Sequence, residues 1–258
     1  MTDDAAGATP REHRSRAGRV WIIVAAIVVA VAVLLVITDV VVRGIAEQRV
    51  AEQIEAELPP GVEGEVDVSI GGFSVLAQYL AGSIDRVQLS APELSVQGVP
   101  ISVDVVATDL PPALDAPVGH ITARLDADEA AINQLIEIPE VQGEVVLGDG
   151  IVGYSDTTRF LGIPIDYTVT ARPIAAADRV LLEPVGVEVG AGGGAIDVSG
   201  LVDRITGGDP IPVCVAEHLP AGVEVAQIAV EPGTAAVTLE ANGISLDEQS
   251  LATTGTCS

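Results

Sequence analysis

The chain has 258 residues, and its 37 carboxylates outweigh 12 arginines, with no lysine, to leave a net charge of −25. The imbalance lies after residue 43, where 33 carboxylates face seven arginines; such a surface repels nucleic acid and offers anionic headgroups no polybasic patch. Hydrophobic residues make up 48% of the chain and aromatic ones only 2%, so its apolar material is almost all aliphatic.

Residues 1–19, with Gly7, Pro10 and mixed charges, read as a disordered cytoplasmic tail. Residues 20–42 follow, an apolar run of 23 whose one charge, Asp39, stands near its far end. As a helix it is about 34 Å long, enough for a hydrocarbon core of about 30 Å. Trp21 suits the near interface. Arg11, Arg14, Arg16 and Arg19 precede the run and only Arg43 follows closely, which predicts a cytoplasmic N-terminus and an exported remainder. A cleaved signal peptide is the competing reading. The run exceeds the usual h-region, no small-x-small site lies just beyond it, and no cysteine follows for a lipoprotein anchor. The expectation is an uncleaved signal anchor: a single-pass cell-membrane protein, its C-terminal domain in a periplasm-like space or outside.

Residues 43–60 read as a stalk helix. Ala46, Val50, Ile54 and Leu58 recur every fourth residue, and Pro59-Pro60-Gly61 ends the run. Residues 61–258 then form the exported β-rich domain. Glu65–Ile70 alternates as a strand. The segment 71–82 predicts a short helix with Phe73, Leu76 and Leu80 on one face, widened by Val75 and Tyr79. A helix so apolar is expected to plug a core or line a cavity.

From Ile84 on the period is two. Strands are predicted at 84–90 and 93–97 with a turn at Pro92, then at 99–107 and 119–126. Asp126 is expected to cap a helix through Glu137, its first turn carrying Asp128 and Glu129. A hairpin is predicted at 141–156 around Gly148-Asp149-Gly150, and strands at 163–171 and 179–190. A glycine-rich loop with a short helix should occupy 191–206, and four short strands 211–247. Gly98-Val99-Pro100-Ile101 and Gly162-Ile163-Pro164-Ile165 echo each other faintly, as two related halves would. Cys214 and Cys257 are the only cysteines; on the exported side one disulfide is expected, stabilising by about 4 kcal/mol, with free thiols or a metal pair as alternatives.

The search for chemistry finds little. His120 and His218 have no cysteine or histidine at metal spacing, and no G-x-S-x-G elbow is present. Helix capping explains Asp126, Asp128 and Glu129 more simply than a calcium loop does. The Gly192-Gly193-Gly194 run lacks the lysine and spacing of a phosphate loop. No catalytic residue, metal site or cofactor is expected. What remains is aliphatic capacity, equally compatible with an ordinary core and with an acyl-chain cavity.

The run IGGFSVLAQYLAGSIDRVQLSAPEL, residues 70–94, resembles the signature of the LmeA-like family of actinobacterial envelope proteins: a strand ending in Gly-Gly-Phe, an apolar helix ending in Leu-Ala-Gly, then an alternating strand. A looser likeness spans residues 39–247. The resemblance implies an exported phospholipid-binding protein, associated with phosphatidylinositol-type lipids and lipomannan elongation. It implies an α+β, TULIP-like fold, a long curved antiparallel sheet wrapped on a few helices. Phe73, Leu76, Tyr79 and Leu80 would then line or gate the lipid cavity. Arg86, because it borders that helix, is a candidate headgroup contact, the alternative being a solvated strand arginine. The lead expectation is a membrane-tethered module that holds or passes phospholipid in the envelope, possible partners being envelope biosynthesis proteins. A non-catalytic scaffold for envelope biosynthesis enzymes is the alternative, and a hydrolase using His120 or His218 a distant third.

Overall fold

The structure, a computed structural model, describes residues 16–113, 116–135, 143–160, 163–191, 194–197, 200 and 209–257. The expected tail before residue 16, the last turn of the helix predicted through Glu137, and most of the loop and helix predicted at 191–206 lie outside these residues.

One helix, α1 (Arg16–Ala56), carries the apolar run into the stalk without a break. Its 41 residues make a rod about 60 Å long. The part from Ile23 onward is long and apolar enough to cross a membrane. Side chains from Ile23 to Val41 are exposed except that of Asp39, which is buried.

The rest is antiparallel sheet with a few short helices, the expected architecture, but the sheet comes in two pieces. The first contains β1 (Val62–Glu63), β2 (Asp67–Ile70), β3 (Ile84–Val96), β4 (Val99–Leu110), β5 (Val118–Asp128), β12 (Val223–Glu231) and β13 (Thr234–Ile244). Its order is β1-β3-β4-β5-β13-β12, with β2 also on β3. The second contains β6 (Glu144–Leu147), β7 (Val152–Phe160), β8 (Ile163–Ala176), β9 (Arg179–Ala191), β10 (Gly194–Asp197) and β11 (Ile211–Cys214), ordered β10-β9-β8-β7-β6 with β11 also on β9. The halves suggested by the tetrapeptide echo are therefore not consecutive: the second sheet is inserted between β5 and the C-terminal hairpin of the first. The short helices are α2 (Val75–Ala81), α3 (Glu129–Leu135) and α4 (Glu248–Ala252).

Three local expectations are corrected. Residues 84–90 and 93–97 form one strand, β3, and Pro92 sits where its register against β4 slips between Ala91 and Leu94. Proline has no N–H for the ladder, so a bulge accommodates it as well as a turn does. The helix after β5 is capped by Asp128, whose Oδ1 accepts the Ala131 N–H at 2.6 Å; Asp126 stays in β5 and pairs with Arg124 at 2.6 Å. Between Ile211 and Asp247 there are three strands and a 3-10 turn (Ala216–His218) rather than four strands.

The sheets meet along β12. The Val225 N–H donates to the Ala177 carbonyl at 2.9 Å, Gly150 N–H to Val230 at 3.0 Å, and Gly233 N–H to Leu147 at 3.3 Å. The Cys214–Cys257 disulfide, with Cα atoms 5.9 Å apart, reinforces the joint. It ties β11 of the second sheet to the C-terminal segment, which pairs with the lead-in to β12 through Ala221 N–H to Thr253 and Gly255 N–H to Leu219.

The stalk docks by polar groups as well as by part of the apolar stripe. Strand β2 leaves backbone N–H groups facing α1, and carboxylates of the helix accept them: Glu47 from Ile70 at 2.7 Å and Glu55 from Val66 at 2.8 Å. Eight helical residues rise about 12 Å and four strand residues about 13 Å, so the two spacings match with the elements antiparallel. Ala46, Ile54 and Leu58 are half-buried beside this line, but Val50 is exposed.

Candidate functional site

Alternation along the first sheet sorts its residues onto two faces. One row across β3, β4, β5 and β13 reads Leu89, Val105, Ala123, Leu239; the next reads Ala91, Val103, Leu125, Val237. On the opposite face the rows read Gln88, Val106, Thr122, Glu240 and Ser90, Asp104, Arg124, Thr238. One face is therefore aliphatic and the other predominantly polar.

In a closed two-layer core, the inner face of central strands is sealed. Here Val103, Val105, Ala123, Leu125, Val237 and Leu239 all keep partial exposure, and Val105 is half-buried, as is Val106 on the polar side. The aliphatic face is the better covered of the two, with Val87, Ala91 and Ala107 buried where Arg86, Gln88 and Arg124 opposite are exposed, but its central residues are not sealed. The aliphatic face is sealed only in patches: Ile70, Val87, Ala107 and Ala241 are buried near α2 with Ile121 half-buried among them, and Ala91, Val99, Val225 and Val230 are buried along its margins. The second sheet repeats the pattern: Val145, Tyr154, Val169 and Val187 share a face, none of them buried. Strand β2 runs along the stalk, and the aliphatic face extends about 40 Å along twelve-residue β4.

Helix α2 stands at the anchor end of this face. Ser74 caps it, accepting the Ala77 N–H at 3.2 Å, and Gly82 closes it in the left-handed conformation at φ 80°. Buried Gln78 holds both flanks, its amide donating to the Gly71 carbonyl at 3.0 Å and its oxygen accepting the Asp85 N–H at 2.7 Å. Gly72, at φ 89°, passes so close that a Cβ there would strike the Gln78 amide. Asp39 of α1 fastens the helix: its Oδ1 accepts the Ser74 hydroxyl at 2.7 Å and the Leu76 N–H at 3.1 Å. One turn on, Arg43 donates to the Gly72 carbonyl at 2.9 Å.

The predicted site residues separate here. Leu76 is half-buried, but Phe73 is 95% exposed, Leu80 86% and Tyr79 66%. The helix does not plug a core; its buried side is Val75 and Gln78. Three grooves lined by described residues lie elsewhere: 340 Å³ between the stalk and β2, 440 Å³ around Asp156 and Tyr167, and 390 Å³ beside α4, none bordered by residues 72–81. Arg86 is exposed on the polar face, its backbone accepting the Gly71 N–H at 2.8 Å.

Sequence reasoning missed the acceptors Asp39, Glu47 and Glu55, and a second cluster on the inner face of the second sheet. There Tyr154 and Tyr167 both donate to Asp156 Oδ2 at 3.3 Å. Desolvation first, and then the Asp156 charge, push both phenols above their ordinary pKa. His120 joins Asn242 at 2.8 Å and Thr122 at 3.0 Å on the polar face, and His218 is exposed in the 3-10 turn. Asp126, Asp128 and Glu129 are engaged by Arg124, the Ala131 N–H and the Leu147 N–H; among the described residues no cluster of three or more His, Cys, Asp or Glu is arranged to hold a metal ion.

No curated protein and no solved structure matches the chain. A family model described as LmeA-like phospholipid-binding matches residues 37–241. The match opens two residues before Asp39, takes in the stalk, α2 and both sheets, and stops short of Cys257. An aliphatic sheet face left partly uncovered is what a phospholipid-binding fold needs, and by that match the chain belongs to the LmeA-like phospholipid-binding family.

Proposed function

We propose that this protein is a membrane-anchored, exported, non-catalytic phospholipid-binding protein that holds or transfers acyl lipids in the cell envelope. Residues 20–42 are the anchor, with the N-terminus in the cytoplasm. The observation that carries the reading is the aliphatic face of the first sheet. Val103, Val105, Leu125 and Leu239 form a surface of branched side chains that their own fold leaves incompletely covered. Each acyl methylene laid against it gains about 0.8 kcal/mol, so tails bind without a catalytic group and without a precise fit. Phosphatidylinositol-type lipids, and support of lipoglycan assembly, are the specific cargo and role we assign.

The test is native mass spectrometry of the full chain extracted in mild detergent, then uptake of labelled phospholipid by Val105→Gln and Val106→Gln variants. These neighbours lie on opposite faces of β4. Masses corresponding to bound phospholipid are expected. Val105→Gln should weaken uptake about thirtyfold, the loss of roughly 2 kcal/mol of methylene contact, while Val106→Gln leaves it unchanged. A lipid-free chain that takes up no label, or equal effects from the two variants, would overturn the reading.

A further inference from the structure

We propose that Phe73, Tyr79 and Leu80 form a tip that enters the outer surface of the bilayer the chain is anchored in, fixing the height and angle of the domain. The inference rests on the anchored reading of α1 and goes beyond lipid binding itself: it gives α2 a partner, the bilayer, rather than a place in the cargo site.

Four observations converge. First, α1 is unbroken from Arg16 to Ala56, so the domain is carried on a rod with no hinge at the membrane surface. Second, α2 is fastened to that rod at one height, by Asp39 to Ser74 and Leu76 and by Arg43 to Gly72. Asp39 lies nineteen residues after Val20, about 28 Å along the helix, which is the far edge of a hydrocarbon core of about 30 Å. The fastening therefore holds α2 at the acyl–headgroup boundary. Third, Phe73, Tyr79 and Leu80 are left largely uncovered by the protein, at 95%, 66% and 86% exposure. Tyrosine is at home in that zone, and an apolar helix face buries there at the depth of the glycerol groups. Fourth, no charged residue occurs from Gly71 to Ile84, the longest uncharged run after the anchor in a domain otherwise rich in carboxylates. The exposed tip therefore brings no charge of its own to the bilayer, and the charges beside it, Asp39 and Arg43, are engaged with Ser74, Leu76 and Gly72.

The experiment uses the full chain in phosphatidylcholine vesicles. A nitroxide at Leu80→Cys is compared with one at Gln88→Cys, an exposed position on the polar face of β3. The Leu80 label is expected to be relaxed by oxygen, which concentrates in the acyl region, and shielded from a water-soluble nickel chelate; the Gln88 label should show the reverse. Since a third cysteine can disturb the disulfide, a thiol-free probe stands beside it. In a Trp21→Phe, Phe73→Trp chain, phospholipid brominated on its acyl chains should roughly halve the fluorescence. A Leu80 label as exposed to the chelate as that at Gln88, or an unquenched tryptophan, overturns the proposal. The two readings fail separately: bound lipid with an aqueous tip removes this one alone, and an immersed tip on a chain that takes up no lipid removes the other alone.

Discussion

Two helices of seven residues, α2 and α3, solve the same local problem and end differently. Each is opened by a short polar side chain, Ser74 or Asp128, and each docks by polar side chains onto the backbone of a neighbour. In α3 those bonds serve the fold. Asn133 donates to the Val145 carbonyl at 2.8 Å and accepts its N–H at 2.7 Å, while Glu129 accepts the Leu147 N–H at 2.7 Å, so the helix closes the free edge of β6 as another strand would. Ala131 is packed beneath at 1% exposure. In α2 the bonds hold a helix in place whose Tyr79 and Leu80, with Phe73 just before it, stay largely exposed. A fold does not spend hydrogen bonds positioning Phe73 and Leu80 in water for its own stability. The difference teaches that α3 is a structural brace and α2 a presented surface.

The largest effect that can break this contrast is on α3. Asn133→Ala leaves both backbone groups of Val145 without their partner, and should lower the unfolding free energy by about 2 kcal/mol in a denaturant titration. If the loss is negligible, α3 is no brace. Next is the cap of α2. Ser74→Ala removes the acceptor for Ala77 and the donor to Asp39, costing about 1 kcal/mol, seen as faster amide exchange in α2 while β4 and β5 keep their protection. Smaller still is Leu80→Ser, which should move stability by less than about 0.5 kcal/mol because the side chain buries almost nothing in the protein. A loss of several times that would mean Leu80 supports the fold after all, and the comparison would collapse.

Much of this architecture was legible before the structure. Period-two alternation placed β4, β5, β8 and β9, because side chains on a strand alternate strictly between two faces. The single cysteine pair pointed to the disulfide, and the motif at 70–94 to the family. What was not legible was the polar carpentry. Glu47 and Glu55 look in sequence like the solvent side of a stalk, and nothing local says that β2 will present two N–H groups at a matching spacing. Asp39 looked like a residue reaching for water at the membrane edge, whereas its partners, Ser74 and Leu76, lie more than thirty residues away. The exposure of Phe73 escaped for the opposite reason: amphipathicity shows that a helix has an apolar face, but not whether protein or lipid covers it.

The third short helix, α4, gives the finest test, since it has a cap without a brace. Asp247 Oδ1 accepts the Ser250 N–H at 2.9 Å and its Oδ2 the Ser250 hydroxyl at 2.7 Å. The Ser250 hydroxyl first, and then its N–H, hold the Asp247 carboxyl below its ordinary value of 3.8. A carboxyl whose pKa is lowered by folding contributes its stabilisation above the unfolded value and loses it as pH falls through the folded one. The Leu251 amide, which donates to the Asp247 carbonyl at 3.0 Å, should therefore lose exchange protection as pH falls below about 4. Asparagine caps helices without titrating, so Asp247→Asn should keep the helix and remove that dependence. Equal acid sensitivity in both proteins would assign the fraying to another carboxylate, and with it the idea that α4 stands on its own cap, apart from the braced α3 and the clasped α2, would be lost.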